Sequence, residues 1–248
     1  MNKYIKIIFC KYKIIKSIPD IMKTKFKQIT RKKHLEITLQ SFPSHPKPKI
    51  HLEQYSTPSS IATDVLWNAY NLDDIDGKNI LDLGCGTGIF AIGAVLLGAY
   101  NAWGVDVDSD ALITAKKSAR NRGVENCVNF MESDIKDISI ENIFQKNSSE
   151  NRDYIDTIIQ NPPFGSQLKV KKGSDRIFME KSVEMAPITY SFHMAETEDF
   201  VENYFLNLGA EITHRFYYLF PLPKIYSFHK LDAKEIKVLV VRVKRINK

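Results

Sequence analysis

A chain of 248 residues, 44% apolar and 26% charged, has the composition of an ordinary globular protein and can bury one sizeable core. Cys10, Cys85 and Cys127 are scattered without paired spacing, which argues against a disulfide framework and a cysteine zinc site and for a reducing compartment: the cytoplasm, with a nuclear pool in a eukaryote. The net charge of +6 is unevenly spread: residues 1–33 carry +10, residues 224–248 carry +6, and residues 34–223 carry −10. Basic ends on an acidic body suggest a polyanionic partner held beside a pocket, and nucleic acid fits that description.

Residues 1–30 read as a basic extension, with Met22 as an alternative start, ahead of a single domain over 31–248. No apolar run approaches the roughly 18 residues of a membrane span, so no membrane partner is expected. Lys32 to Gln40 reads as a short helix, and 41–48 as a proline-rich extended link. In the segment Leu52-Glu53-Gln54-Tyr55-Ser56-Thr57-Pro58, Thr57 is placed to cap the next helix, with Pro58 at its first position. That helix, Ser59 to Tyr70, lines up Ile61, Val65, Leu66 and Ala69.

Strand and helix then alternate: 79–83, 88–98, 101–106, 109–122 and 127–131. This is the pattern of an α/β, mostly parallel, doubly wound (Rossmann-like) sheet with helices on both faces. A polar loop is expected over 142–152, a strand over 154–159, and a lysine-bearing mobile loop over 165–173. Helix 175–185, strand 188–193, helix 196–208, strand 211–220, loop 222–230 and strand 236–245 complete seven strands.

The chain is organised around Asp82-Leu83-Gly84-Cys85-Gly86-Thr87-Gly88, a glycine turn between a strand and a helix. Glycines permit the sharp bend and a close approach of backbone to ligand. The spacing is G-x-G-x-G rather than the G-x-G-x-x-G of dinucleotide turns. Asp106 ends the next strand about twenty residues on, the offset at which a carboxylate accepts bonds from ribose hydroxyls. Asp134 follows a third strand end, and Asn161-Pro162-Pro163-Phe164 follows a fourth. In open α/β sheets ligands bind outside the carboxyl ends of the strands, where all four converge.

The N-P-P-F stretch carries chemistry of its own. A ring-attached amino group is a poor nucleophile because its lone pair is delocalised. Acceptors aimed at its two protons, here the Asn161 side-chain oxygen and the Pro162 carbonyl, return density to nitrogen and stabilise the charge that develops on it. Pro162 and Pro163 hold that backbone rigid, and Phe164 offers a face for stacking. Exocyclic amines of adenine or guanine and the glutamine amide of a protein are all suitable acceptors. A catalytically silent RNA-binding assembly factor would be expected to break the glycine turn or N-P-P-F, and both are intact.

These motifs, with Val105-Asp106-Val107-Asp108, Lys172-Gly173-Ser174-Asp175 and Tyr226-Ser227-Phe228-His229-Lys230, resemble the archaeal and eukaryotic methyltransferase-like family of small-subunit rRNA adenine-N6 methyltransferases over about Arg31 to Val243. The resemblance implies a class I fold and S-adenosyl-L-methionine as cofactor. It implies that Gln54, Thr57, Asp82, Gly84, Gly86, Thr87, Ile89, Asp106, Asp134 and Ile135 serve the cofactor, Asp134 through the adenine amino group, and that Asn161, Pro162, Pro163 and Phe164 receive a flipped adenine. It implies ribosomal RNA or a small ribosomal subunit as partner and, by analogy with eukaryotic relatives, a small zinc-containing activator subunit. Residues 1–21 and the stretch Ser166 to Lys171 have no counterpart in the family pattern.

Overall fold

The computed structural model describes residues 27–49, 54, 56–144, 153–164, 174–222 and 234–246. Most of the basic extension, the loop expected over 165–173 and nearly all of that over 222–230 lie outside the described residues.

The elements are α1 (Lys32–Gln40), α2 (Ser59–Asn71), β1 (Asn79–Leu83), α3 (Ile89–Leu96), β2 (Asn101–Asp106), α4 (Ser109–Arg122), β3 (Val128–Glu132), α5 (Ile140–Phe144), β4 (Thr157–Gln160), α6 (Ser174–Met185), β5 (Ile188–Met194), α7 (Glu198–Asn207), β6 (Ala210–Leu222) and β7 (Lys234–Arg245). Short 3-10 turns at Ile135–Asp137 and Ala195–Thr197 precede α5 and α7. The seven strands form one sheet in the order β3-β2-β1-β4-β5-β7-β6, parallel except that β7 runs antiparallel to both β5 and β6.

The sheet is covered on both faces, so its central strands read as continuous apolar runs. Every residue of β1, Asn-Ile-Leu-Asp-Leu, is buried. Ile80, Ala102, Ile159, Tyr190 and Phe192 pack with α1 to α3 on one face. Leu81, Leu83, Trp103, Val105 and Ile158 meet Ile138, Ile143 and Met185 on the other, where Met179, Val183, Val201 and Phe205 cover Leu239, Val241 and Val243. Three elements meet closely at Gly93 of α3, where a Cβ would lie 2.5 Å from Leu66 of α2 and 3.5 Å from Leu39 of α1.

Three expectations need correction, the first being the strand expected over 154–159, which runs from Thr157 to Gln160. Thr57 does not cap α2: Pro58 is the N-cap residue, no side chain caps the helix, and the Thr57 hydroxyl is engaged with Asn161 instead. The loop expected from residue 142 is partly helical, because Ile140, Ile143 and Phe144 pack α5 against the sheet, Phe144 edge-on to Trp103 at 4.8 Å.

A buried polar staple joins the distal parts of the fold. The Asp74 carboxylate, between α2 and β1, accepts the Tyr190 hydroxyl at 2.6 Å, Arg242 Nε at 2.7 Å and Arg242 Nη2 at 3.0 Å. Burial, then the neighbouring Asp74 charge, holds the Tyr190 hydroxyl well above its ordinary range, so it stays a donor.

Candidate active site

The carboxyl ends of β1, β2, β3 and β4 lead into the glycine turn, Asp106, Asp134 and Asn161 respectively, and a cavity of about 430 Å³ is lined by these segments. At the turn, Gly84, Gly86 and Gly88 have φ of 70°, 51° and 82°, a region costly for residues with a Cβ. At Gly88 a side chain would also strike Phe130 at 2.8 Å. The turn therefore brings bare backbone to the cavity, with α3 starting immediately behind it.

Asp106 is held from beneath. Its Oδ2 accepts Gly86 N–H at 2.7 Å and its Oδ1 accepts Asp108 N–H at 2.9 Å. Burial pushes its carboxyl above the ordinary range, while those two N–H groups pull it back. Asp134 is exposed, with Oδ1 accepting Lys136 N–H at 3.0 Å. Gln54, Thr57, Thr87, Ile89 and Ile135 also line the cavity, as do Pro162, Pro163 and Phe164. Phe164 is fixed by an edge contact with Phe220, ring centroids 6.2 Å apart and planes at 87°.

Asp82 is the exception. It does not line the cavity. It is buried beneath the turn, where its Oδ2 accepts Ala91 N–H at 3.0 Å from the first turn of α3. Burial pushes its carboxyl up to about 8, opposed by that N–H and reinforced by the charge of Asp106. Its work is to tie β1 to α3. Cys85 is equally inert: burial, then Asp82 and Asp106, push its thiol well above the usual range, which removes the reactive thiolate.

Asn161 has the most telling environment. Its Nδ2 donates to Thr57 Oγ1 at 3.0 Å, while its Oδ1 is buried and has no hydrogen-bond partner among the described residues. An unpaired buried acceptor costs about 1–3 kcal/mol, so one retained at a cavity wall points to a donor that arrives with a ligand.

Sequence reasoning missed a second centre. The Asp108 side chain is fully shielded, and its two oxygens take four donors: Oδ1 accepts Lys49 Nζ at 2.9 Å and Asp110 N–H at 3.2 Å, and Oδ2 accepts Gln54 Nε2 at 2.7 Å and His45 Nε2 at 3.1 Å. Burial would raise its carboxyl, but Lys49, Gln54 and the Asp110 N–H outweigh burial and hold it down at about 2. The signal in the sequence is an acid two residues after Asp106, at the start of a helix, opposite a polar and basic stretch from His45 to Gln54.

These residues suit a nucleoside-bearing sulfonium cofactor: bare turn backbone, a buried carboxylate for hydroxyl donors and a cavity of that scale. The fold and site define a class I methyltransferase, whose methyl donor is S-adenosylmethionine. Comparisons with known proteins sharpen this. Residues 62–160 match the family model of ribosomal protein L11 methyltransferase. An uncharacterised protein of Methanocaldococcus jannaschii is 42% identical over 87% of this chain and 95% of its own length. The rRNA N(6)-adenosine-methyltransferase METTL5 of Danio rerio is 34% identical over 85% of this chain and 97% of its own. A solved structure from Pyrococcus horikoshii, described as a candidate RNA methyltransferase, superposes with a TM-score of 0.76 at 33% identity, covering 89% of this chain and all of that one. The chain belongs to the METTL5-type family of rRNA N6-adenosine methyltransferases.

Proposed function

We propose that this protein transfers a methyl group from S-adenosylmethionine to N6 of an unpaired adenine in small-subunit ribosomal RNA. The observation that carries the proposal is the Asn161 Oδ1, which has no hydrogen-bond partner among the described residues, on a cavity-lining side chain whose Nδ2 is held by Thr57. An exocyclic amine is a donor of the kind that oxygen lacks. The named activity of the METTL5 relatives supports adenine in rRNA as the target.

When bound, S-adenosylmethionine supplies an electrophilic methyl group on a sulfonium that leaves as a neutral thioether. Asp106 is assigned to the ribose hydroxyls and Asp134 to the adenine amino group of the cofactor. The target base leaves its helix, since a paired N6 cannot reach the cavity, and Phe164 stacks on it. Asn161 Oδ1 and the Pro162 carbonyl each accept one N6 proton and stabilise the positive charge that grows on nitrogen as the N–C bond forms and the C–S bond breaks. The surplus proton passes to water after transfer, so no general base of tuned pKa is needed. An activator subunit, if recruited, has the outer strands β3 and β6 as the open edges of the sheet.

The test is incubation of the purified chain, alone and with a partner, with small ribosomal subunits and labelled S-adenosylmethionine, followed by nucleoside mass spectrometry. N6-methyladenosine at one site is expected. Label in N2-methylguanosine or in a protein glutamine would reassign the acceptor. Asn161→Ala should lower turnover by about 10²–10³-fold with little change in cofactor affinity.

A further inference from the structure

We infer that Asp108 is a positioning residue for the cofactor, which it serves by anchoring the segment that carries Phe42 to His45 and Gln54 onto the cavity. It touches no reacting atom and does not line the cavity, while two of the residues it grips, His45 and Gln54, do. The inference rests on the reading of this cavity as the cofactor site.

Three of its four donors come from one short stretch of chain: His45, Lys49 and Gln54. That stretch is itself closed by Lys49 N–H donating to Gln54 Oε1 at 2.7 Å. His45 Nδ1 accepts Lys47 N–H at 3.1 Å, so the ring's own proton lies on Nε2 and is donated to Asp108. Each polar atom on the grip is thereby assigned one role. Asp108 also reaches a second part of the cavity lining, because its backbone N–H orients the Asp106 carboxylate. One residue thus joins His45 and Gln54 to the carboxylate assigned to the ribose. A charged acceptor with several charge-assisted donors is among the stronger anchors a protein can build.

His45 and Gln54 line the cavity and are held there by Asp108, so losing that anchor should raise the dissociation rate more than it lowers the association rate. The experiment measures S-adenosylmethionine binding kinetics by surface plasmon resonance on the full chain. Asp108→Ser keeps a helix-capping oxygen but cannot hold three side chains. Dissociation should quicken by about 10- to 100-fold, the loss expected for one charged-group hydrogen bond, with association changed by less than about threefold. Lys49→Met, outside the cavity, should quicken dissociation less, Lys49→Arg should restore it, and Asp108→Ser/Lys49→Met should be no worse than Asp108→Ser. Multiplicative effects in the double variant would overturn the inference. So would an unchanged dissociation rate in Asp108→Ser when Asp106→Ala, run alongside, loses affinity. If Asp106→Ala binds normally, the cofactor reading of the cavity fails instead, and the inference falls with it. Should Asp108→Ser not fold, the Lys49→Met and Lys49→Arg pair decides by the same criterion.

Discussion

Thr57 shows how much one hydroxyl can contribute without touching the reacting atoms. Of the Asn161 amide, an amine donor can use only Oδ1, so Nδ2 is turned to Thr57, whose hydroxyl accepts from it. Thr57→Val conserves shape and removes that acceptor. It should lower turnover about tenfold, the scale of one lost hydrogen bond, with Thr57→Ser recovering most of it. A native turnover number for Thr57→Val under saturating cofactor would disprove the role. Asp82 makes a different prediction. Its carboxyl is held at about 8, against 3.8 in the unfolded chain, so the folded state binds the extra proton between those values. Its contribution to stability therefore falls as pH rises from about 4 to 8. Asp82→Asn should remove that slope, and denaturation midpoints across this window should show the variant gaining on the native chain as pH rises.

At the scale of elements, helices were legible wherever apolar spacing and a stop signal coincided. Residues 109–122 are helical as expected, from the Asp108 cap to Gly123 in the left-handed region. Strand β4 begins at Thr157 rather than 154, because Asp156 is spent on the backbone of Asn79: its Oδ2 accepts that N–H at 2.8 Å, and its own N–H donates to the Asn79 carbonyl. Pattern alone cannot reveal such a tertiary claim on a strand end. The same reason hid α5 and the changed partner of Thr57. The site was legible where it lies on strand ends next to special residues, as with Gly84 to Gly88, Asp106 and Asn161. It was illegible where it depends on side chains far apart in sequence, as with His45 and Asp108. Packing between elements gives its own test at Gly93. Alanine gains roughly 1 kcal/mol of helix propensity over glycine, but here its methyl meets buried Leu66 at 2.5 Å. Overpacking of a close contact costs about 1–3 kcal/mol, so Gly93→Ala should be net destabilising by up to about 2 kcal/mol. A raised urea midpoint would show that the α2–α3 contact can yield.

The molecule as a whole is held together at its seam by Asp74, Tyr190 and Arg242, from the α2–β1 connection, β5 and β7. The Asp74 and Arg242 side chains are only 8% and 12% exposed. Removing one partner of a buried pair strands the other, so Arg242→Met should destabilise by about 3–5 kcal/mol, read as a lower denaturant midpoint. Asp74→Asn with Arg242→Met should lose less than the two singles combined, since no charge is left alone.

The place of β7 in the sheet has a consequence for how the chain is made. It is the last strand in sequence among the described residues, yet it lies between β5 and β6. On the ribosome, β5 is synthesised about forty residues before β7, a delay of roughly 2–8 s at 5–20 residues per second. During that interval β5 offers an open, apolar edge with buried-type residues such as Tyr190 and Phe192, and β6 has no neighbour either. Once β7 emerges it can close a hairpin with β6 and enter beside β5 as a pair. The nascent enzyme is thus most exposed to mispairing in this interval, and a chaperone that masks strand edges would find its client there, after the cofactor half has been synthesised and before the sheet is closed.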